Sequence, residues 1–202
     1  MRTIFILFMV ASLVVSCKEE KKTETPIVSE SKKISTTTTE QPLSTDTEQF
    51  LATSIAYFKN CKENAVNRND CRNSITKMIS EFYKIEDFKN DLGEYVIYDS
   101  IQPIVAQSRA WEKLGNASNQ DVLAKAQNTA NAGKATIAID VSESYGQVAM
   151  ILEGKLTQSN AWQREVPNAA VLVNYSADKS FMNKPLSYAF KSPQHIVLYT
   201  KK

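Results

Sequence analysis

Apolar and polar residues follow two different periodicities along this chain, one helical and one typical of strands. Between residues 50 and 58 the apolar positions recur every three or four residues, after the capping signal Thr45-x-x-Glu48. We therefore predict a first helix that ends near Cys61. The same spacing returns between residues 75 and 82 and predicts a second helix that buries one stripe of side chains.

The middle of the chain is predicted to be helical, with a weaker pattern. Residues 95–114 contain spaced apolar side chains, and Pro103 marks a helix start or a kink there. Ser118-x-x-Asp121 is predicted to cap an alanine-rich helix over residues 122–131. Gly133 is expected to end that helix in a left-handed conformation.

The periodicity then changes to that of strands. Residues 134–140 alternate, and residues 146–152 form a mostly apolar run after a polar turn, so we predict a hairpin of two strands. Helices first and strands afterwards predict an α+β fold. The remaining C-terminal predictions are a polar loop over residues 154–167, strands over residues 169–175 and 195–200, and a short turn or helix over residues 185–190.

The N-terminus has the features of a targeting segment. Arg2 precedes an apolar run over residues 4–15, and Val14-Val15-Ser16-Cys17 resembles the bacterial lipobox. The resemblance implies that residues 1–16 are a signal peptide and that Cys17 carries acyl chains such as palmitate, which would anchor the protein to a membrane. An ordinary signal peptide or a membrane helix is the alternative.

Residues 17–46 are predicted to be a disordered tether, because they are rich in Lys, Glu, Thr and Ser and contain almost no large apolar residues. Within them, Lys18-Glu19-Glu20 resembles the signal that directs lipoproteins of Bacteroidetes-type bacteria to the cell surface. We therefore expect attachment to the outer membrane, with surface display favoured over the periplasmic face. The folded domain is predicted over residues 47–202.

Composition and charge exclude several function classes. The net charge of +2 is too balanced to indicate nucleic-acid binding. His195 is the only histidine, and the chain has no Cys-x-x-Cys sequence, so no zinc site and no cofactor are expected. After the N-terminal segment, no apolar run approaches the roughly 18 to 20 residues that span a bilayer.

The stretch over residues 130–154 resembles a known group of enzymes. Its pattern of Ala-Asn-x-Gly, strand, turn and Gly-x-Val-Ala is similar to the central hairpin of papain-like cell-wall amidases of the NlpC and CHAP type. The resemblance extends from Cys71 to the C-terminus through several short motifs in order. It implies a papain-like domain in which N-terminal helices pack on an antiparallel β-meander.

The resemblance also implies positions for the site residues. Cys71 would be the nucleophile, in the first turn of the second helix with Asp70 as N-cap, where the helix terminus favours a thiolate. Gln147 stands where the family has its catalytic histidine, and Asn174 would match the polar residue that orients this base. Trp111 and Trp162 would lie at the substrate cleft, although Trp111 would fit the core equally well.

Glutamine cannot replace the histidine in catalysis, because it cannot carry a proton through the reaction cycle. Cysteine usage supports the same conclusion. With Cys17 lipidated, only Cys61 and Cys71 remain, and outside the reducing cytoplasm they are expected to form a disulfide. That bond would occupy the sulfur that a cysteine amidase needs.

Three functions remain open from the sequence. The favoured one is a lipoprotein with an inactive amidase-like domain that binds a cell-wall peptide or a protein partner. The second is an active peptidoglycan amidase or endopeptidase that uses Cys71 with an unrecognised base. The third is a structural or interaction lipoprotein that is unrelated to the amidases.

Overall fold

Two helices begin the folded part of the chain in a computed structural model, which describes residues 42–67, 70–142 and 146–202. The described residues belong to one unit over residues 38–202. The signal peptide, the acylated Cys17, the surface signal and the tether up to residue 41 were predicted N-terminal to the described residues, so those predictions lie outside them.

The first helix, α1, spans Thr45–Glu63, close to the predicted bounds. Its N-cap is Ser44, whose hydroxyl accepts a hydrogen bond from the Thr47 N–H, rather than the predicted Thr45. The second helix, α2, spans Ser74–Tyr83 and ends at Lys84 in a left-handed conformation. Both helices turn apolar side chains such as Phe58 and Ile79 completely into the core.

The prediction of helix throughout residues 95–114 is wrong for residues 95–97 and 108–114. A 3₁₀ turn leads into the short helix α3, Ile101–Gln107, with Pro103 in its first turn. Strand β1, Trp111–Asn116, follows because it pairs with the C-terminal strand of the chain. This pairing is a tertiary contact that local periodicity does not report.

Helix α4, Gln120–Asn131, agrees with the predicted alanine-rich helix. Its N-cap is Asn119, which accepts from the Asp121 N–H, rather than Ser118. Gly133 has φ of +75°, which confirms the predicted left-handed stop.

The other strands are β2 (Thr136–Asp140), β3 (Val148–Ile151), β4 (Thr157–Ser159), β5 (Arg164–Val166), β6 (Asn168–Val171), β7 (Phe181–Pro185) and β8 (Ile196–Lys201). Together with β1, five of them form a six-stranded antiparallel sheet in the order β1-β8-β2-β3-β6-β7, and β4 pairs with β5 as a separate hairpin. The α+β prediction is confirmed. The predicted antiparallel β-meander is correct for β2, β3, β6 and β7, which are neighbours in that order, but not for β8, which lies between β1 and β2.

Two further predictions in this region are corrected. The segment predicted as a polar loop over residues 154–167 contains the β4–β5 hairpin. The strand predicted over residues 169–175 ends at Val171, because the chain then turns, and the Val173 N–H donates to the Ser180 hydroxyl instead of continuing a ladder. β7, which the sequence pattern did not predict, pairs with β6 after this turn.

The sheet separates two apolar clusters. The first cluster joins the faces of β2, β3 and β8 that carry Ile137, Met150 and Tyr199 to helices α1, α2 and α3. The second contains the opposite faces, with small residues such as Ala138 and Ala149 beneath α4. Each side chain of the central strands is therefore assigned to one side of the sheet.

Candidate functional site

Cys71 does not lie in the first turn of α2, as the sequence predicted. It occupies the turn before the helix with φ of +68°, a left-handed conformation that is uncommon for a residue with a Cβ. α2 starts three residues later with Asn73 as N-cap. Asp70 does not cap the helix either, because its carboxylate accepts from the N–H groups of Val66 and Asn67 and closes the preceding loop.

The Cys71 sulfur is joined to Cys61 in a disulfide, with a Cα–Cα distance of 6.1 Å. Cys71 is 8% exposed and belongs to the first cluster, and Cys61 packs against the same cluster. A bonded sulfur cannot form the thiolate that attacks a peptide bond. The turn at the start of α2 therefore presents a structural cross-link rather than a nucleophile.

Gln147 immediately precedes β3, and its carbonyl accepts from the Asp140 N–H to extend the β2–β3 ladder. Its side-chain amide donates to the Ala189 carbonyl at 2.8 Å. The Oε1 atom is buried and has no hydrogen-bond partner among the described residues. The side chain thus links the start of β3 to the 3₁₀ turn after β7 through a hydrogen bond.

The structure places the side chains of Gln147 and Cys71 in different surroundings. Val148 belongs to the first cluster, with Cys71, whereas Ala149 belongs to the second. Alternation along the strand puts Gln147 on the side of Ala149, and its partner Ala189 packs against the second cluster. The two residues therefore do not face each other across a common cleft.

Asn174 lies in the turn between β6 and β7, half-buried, rather than on the predicted strand. This turn follows Val173, a member of the second cluster. His195, predicted at the start of the last strand, is exposed in the turn before β8.

Both tryptophans belong to the core rather than to a cleft wall. Trp111 is 4% exposed, packs against Phe88 and donates its indole N–H to Asp87 at 2.8 Å. Asp87 also pairs with Lys201. Burial acts to raise the pKa of Asp87, but the hydrogen bonds from Lys201 and Trp111 outweigh it, so the pKa lies below its usual range.

Trp162 is equally buried and lies in the turn that joins β4 to β5. Its backbone N–H donates to the Ser159 hydroxyl, and its indole N–H donates to the Phe190 carbonyl at 3.3 Å. It therefore fastens the hairpin to the segment that follows β7.

A polar cavity of about 210 Å³ lies between the start of α3 and the end of β2. One oxygen of Asp99 pairs with Arg72, and the other oxygen is buried without a hydrogen-bond partner in the described part of the chain. Neither Cys71 nor Gln147 is among the lining residues, which are Tyr98, Asp99, Gln102, Ile139, Asp140, Val141, Ser142 and Gly146. The sequence pattern did not single out this cavity, because its two sides are about 40 positions apart in the chain.

Within the described ranges, no three His, Cys, Asp or Glu side chains are grouped so that they could hold a metal ion. Nor does any helix in those ranges combine the length and apolar character needed to cross a membrane.

Comparison with known proteins adds no assignment. No family model matches the chain, and a search of curated proteins finds no match.

Proposed function

We propose that this chain is a membrane-anchored bacterial lipoprotein whose domain is an amidase-like but non-catalytic module that binds a component of the cell wall. The order of short motifs from Cys71 to the C-terminus supports the amidase-like part of the proposal. The lipobox-like sequence at Cys17 and the polar tether that follows it support presentation of the domain at a distance from the membrane.

The observation that carries the non-catalytic part is the use of both candidate catalytic groups in structural contacts. The Cys71 sulfur is bonded to Cys61, and the Gln147 amide is bound to the Ala189 carbonyl on the other side of the sheet. A cysteine amidase requires a thiolate beside a base that exchanges protons near neutral pH. Neither requirement is met by these two side chains, so binding is favoured over cleavage.

The third function, an interaction lipoprotein without amidase ancestry, is favoured by one specific observation. In the papain-like arrangement that the resemblance implies, the nucleophile and the histidine position share a cleft, whereas Cys71 and Gln147 contact different clusters. This alternative also predicts a non-catalytic protein. It differs in predicting that cell-wall material is not the ligand.

Co-sedimentation tests the proposal. The full-length protein, solubilised in a zwitterionic detergent, would be mixed with purified insoluble peptidoglycan and centrifuged. We expect the protein to pellet with the peptidoglycan while the turbidity of the suspension stays constant. Protein that remains entirely in the supernatant would support the unrelated interaction lipoprotein, and falling turbidity would support an enzyme.

A matched variant separates disulfide chemistry from binding. Cys61→Ala combined with Cys71→Ala removes both sulfurs without leaving a free thiol. If the domain binds without a nucleophile, this variant pellets as the wild type does. A loss of turbidity that occurs in the wild type only after reduction, and never in this variant, would contradict the proposal, because it would show a latent thiol enzyme.

A further inference from the structure

A wide groove lies between the β4–β5 hairpin and the segment that runs from β7 into the next 3₁₀ turn. Its volume is about 590 Å³, which is within the range of pockets that hold small ligands. Gln158 and Asn160 line the hairpin side, and Lys184, Ser187 and Tyr188 line the opposite side. None of the candidate catalytic or cleft residues that the amidase resemblance implies lines the groove, although Ser187 and Tyr188 belong to one of the short motifs that carry the resemblance.

Hydrogen bonds connect the two walls of the groove to each other and to the start of α4. Trp162 links the hairpin to the Phe190 carbonyl, directly after the 3₁₀ turn that carries Tyr188. Arg164, on β5, donates to the Ser118 carbonyl, and the Glu165 N–H donates to the side chain of Gln120 at 3.2 Å. These bonds attach the hairpin to the start of α4. The groove is therefore formed before any ligand binds, which lowers the entropy cost of binding.

The polar lining of the groove is neutral apart from a single cation. Amide and hydroxyl side chains supply both hydrogen-bond donors and acceptors, and Lys184 contributes the one positive charge among the lining residues. No carboxylate is among the lining residues. A ligand with many hydroxyl and amide groups matches this chemistry better than a basic peptide or a cation does.

Tyr188 adds an aromatic surface to the groove. Tyr188 is 69% exposed, yet its ring contacts the Phe181 ring edge to face, with 6.3 Å between the ring centroids. The Lys184 ammonium lies 5.8 Å from the centroid of the Tyr188 ring. These contacts restrict the ring although it faces solvent. An exposed and oriented aromatic face attracts the weakly positive C–H groups of a sugar ring.

An extended peptide that adds a strand to the sheet fits this place less well. β7 is the edge strand on this side of the sheet, but Asn183 within it has φ of +55° and Pro185 at its end has no N–H to donate. Both features interrupt the regular spacing of backbone donors and acceptors that strand addition requires.

We infer that this groove is a carbohydrate-binding site that takes a short oligosaccharide, with a sugar ring stacked on Tyr188 and hydrogen bonds from Gln158 and Asn160. The inference rests on the proposed function in one respect, since it assigns the ligand class and place of a domain that binds rather than cleaves. It differs from the expected cell-wall peptide in assigning recognition to glycan.

Calorimetric titration tests the assignment with the full-length protein in a zwitterionic detergent that carries no sugar. The probes are three tetrasaccharides: β-1,4-linked N-acetylglucosamine, alternating N-acetylglucosamine and N-acetylmuramic acid, and β-1,4-linked glucose. We expect at least one of them to bind. Tyr188→Ala should weaken that binding about five- to tenfold, the loss typical of one aromatic contact.

Tyr175→Ala is the matched control, because Tyr175 is also largely exposed, at 77%, and does not line the groove. It should leave the affinity within twofold, whereas Gln158→Ala should weaken it. Failure of all three saccharides to bind, or equal losses in the two tyrosine variants, would overturn the assignment. Cleavage of peptidoglycan would contradict the proposed function without changing the result of these titrations.

Discussion

Breaking the bond between Cys61 and Cys71 is expected to destabilise the domain by a predictable amount. The two residues are ten positions apart, and the loop between them is held additionally by Asp70 and by Lys62, whose ammonium donates to the Asp70 carbonyl. Loop closure at this length restricts the unfolded chain by about 2.7 kcal/mol at 25 °C in the chain-entropy model. For a domain of this size the loss corresponds to a fall of about 5 to 11 °C in Tm.

The assay is urea unfolding of the full-length protein, followed by tryptophan fluorescence, with and without a thiol reductant. Both tryptophans are buried, so their emission reports loss of the core. Cys61→Ala combined with Cys71→Ala is the control, since its free energy of unfolding should be low and insensitive to reductant. A wild type whose stability changes by less than about 0.5 kcal/mol on reduction would refute the assignment of this bond as a stabilising cross-link.

Three further results are expected. Because the pKa of Asp87 is lowered in the folded state, its ionised carboxylate stabilises the fold at pH values above the unfolded pKa. This stabilisation is lost as the pH falls through the folded pKa. The urea midpoint should therefore fall less between pH 7 and pH 2 in Asp87→Asn than in the wild type. Gly115→Ala should destabilise more than Gly133→Ala, because both have positive φ but only the first new Cβ would lie 2.8 Å from Val122; equal unfolding midpoints would contradict this. Gln147→His combined with Cys61→Ser should not release peptidoglycan fragments, since the new imidazole would lie on the other side of the sheet from the freed thiol; release would show that the two positions do meet.

Local signals in the sequence were sufficient for three of the four helices. The apolar spacing in α1 and α2 and the glycine after α4 act within one or two turns of chain, so their effects are readable from neighbouring residues. The caps were less accurate. Ser44 and Asn119 cap their helices instead of the predicted residues one position away, because several capping side chains stand side by side there.

The strands were harder to predict, because their partners are distant. Trp111 starts a strand that pairs with residues near the C-terminus, and nothing in its own neighbourhood distinguishes that strand from a helix. The β4 and β5 strands have only three residues each, too few to show alternation. The groove proposed as a carbohydrate site lies between the β4–β5 hairpin and β7, neither of which the sequence pattern predicted, so it could not be recognised before the fold was known.

The candidate catalytic residues show a different limit of sequence reasoning. The order of the motifs suggested that Cys71 and Gln147 share a site, but order does not determine on which side of a strand a side chain lies. A shift of one residue in register reverses that side. Here the register of β2 with β3 puts Val148, rather than Gln147, on the side of Cys71.

This domain is proposed to bind without cleaving, and chromatography with mass spectrometry of peptidoglycan fragments measures cleavage itself. Purified peptidoglycan would be incubated with the oxidised full-length protein, with its reduced form and with Cys71→Ala, and the soluble products compared with those of buffer alone. We predict the same fragment profile in all four samples. New fragments that the wild type releases and that disappear in Cys71→Ala would contradict the claim, because they would show that Cys71 acts as a nucleophile.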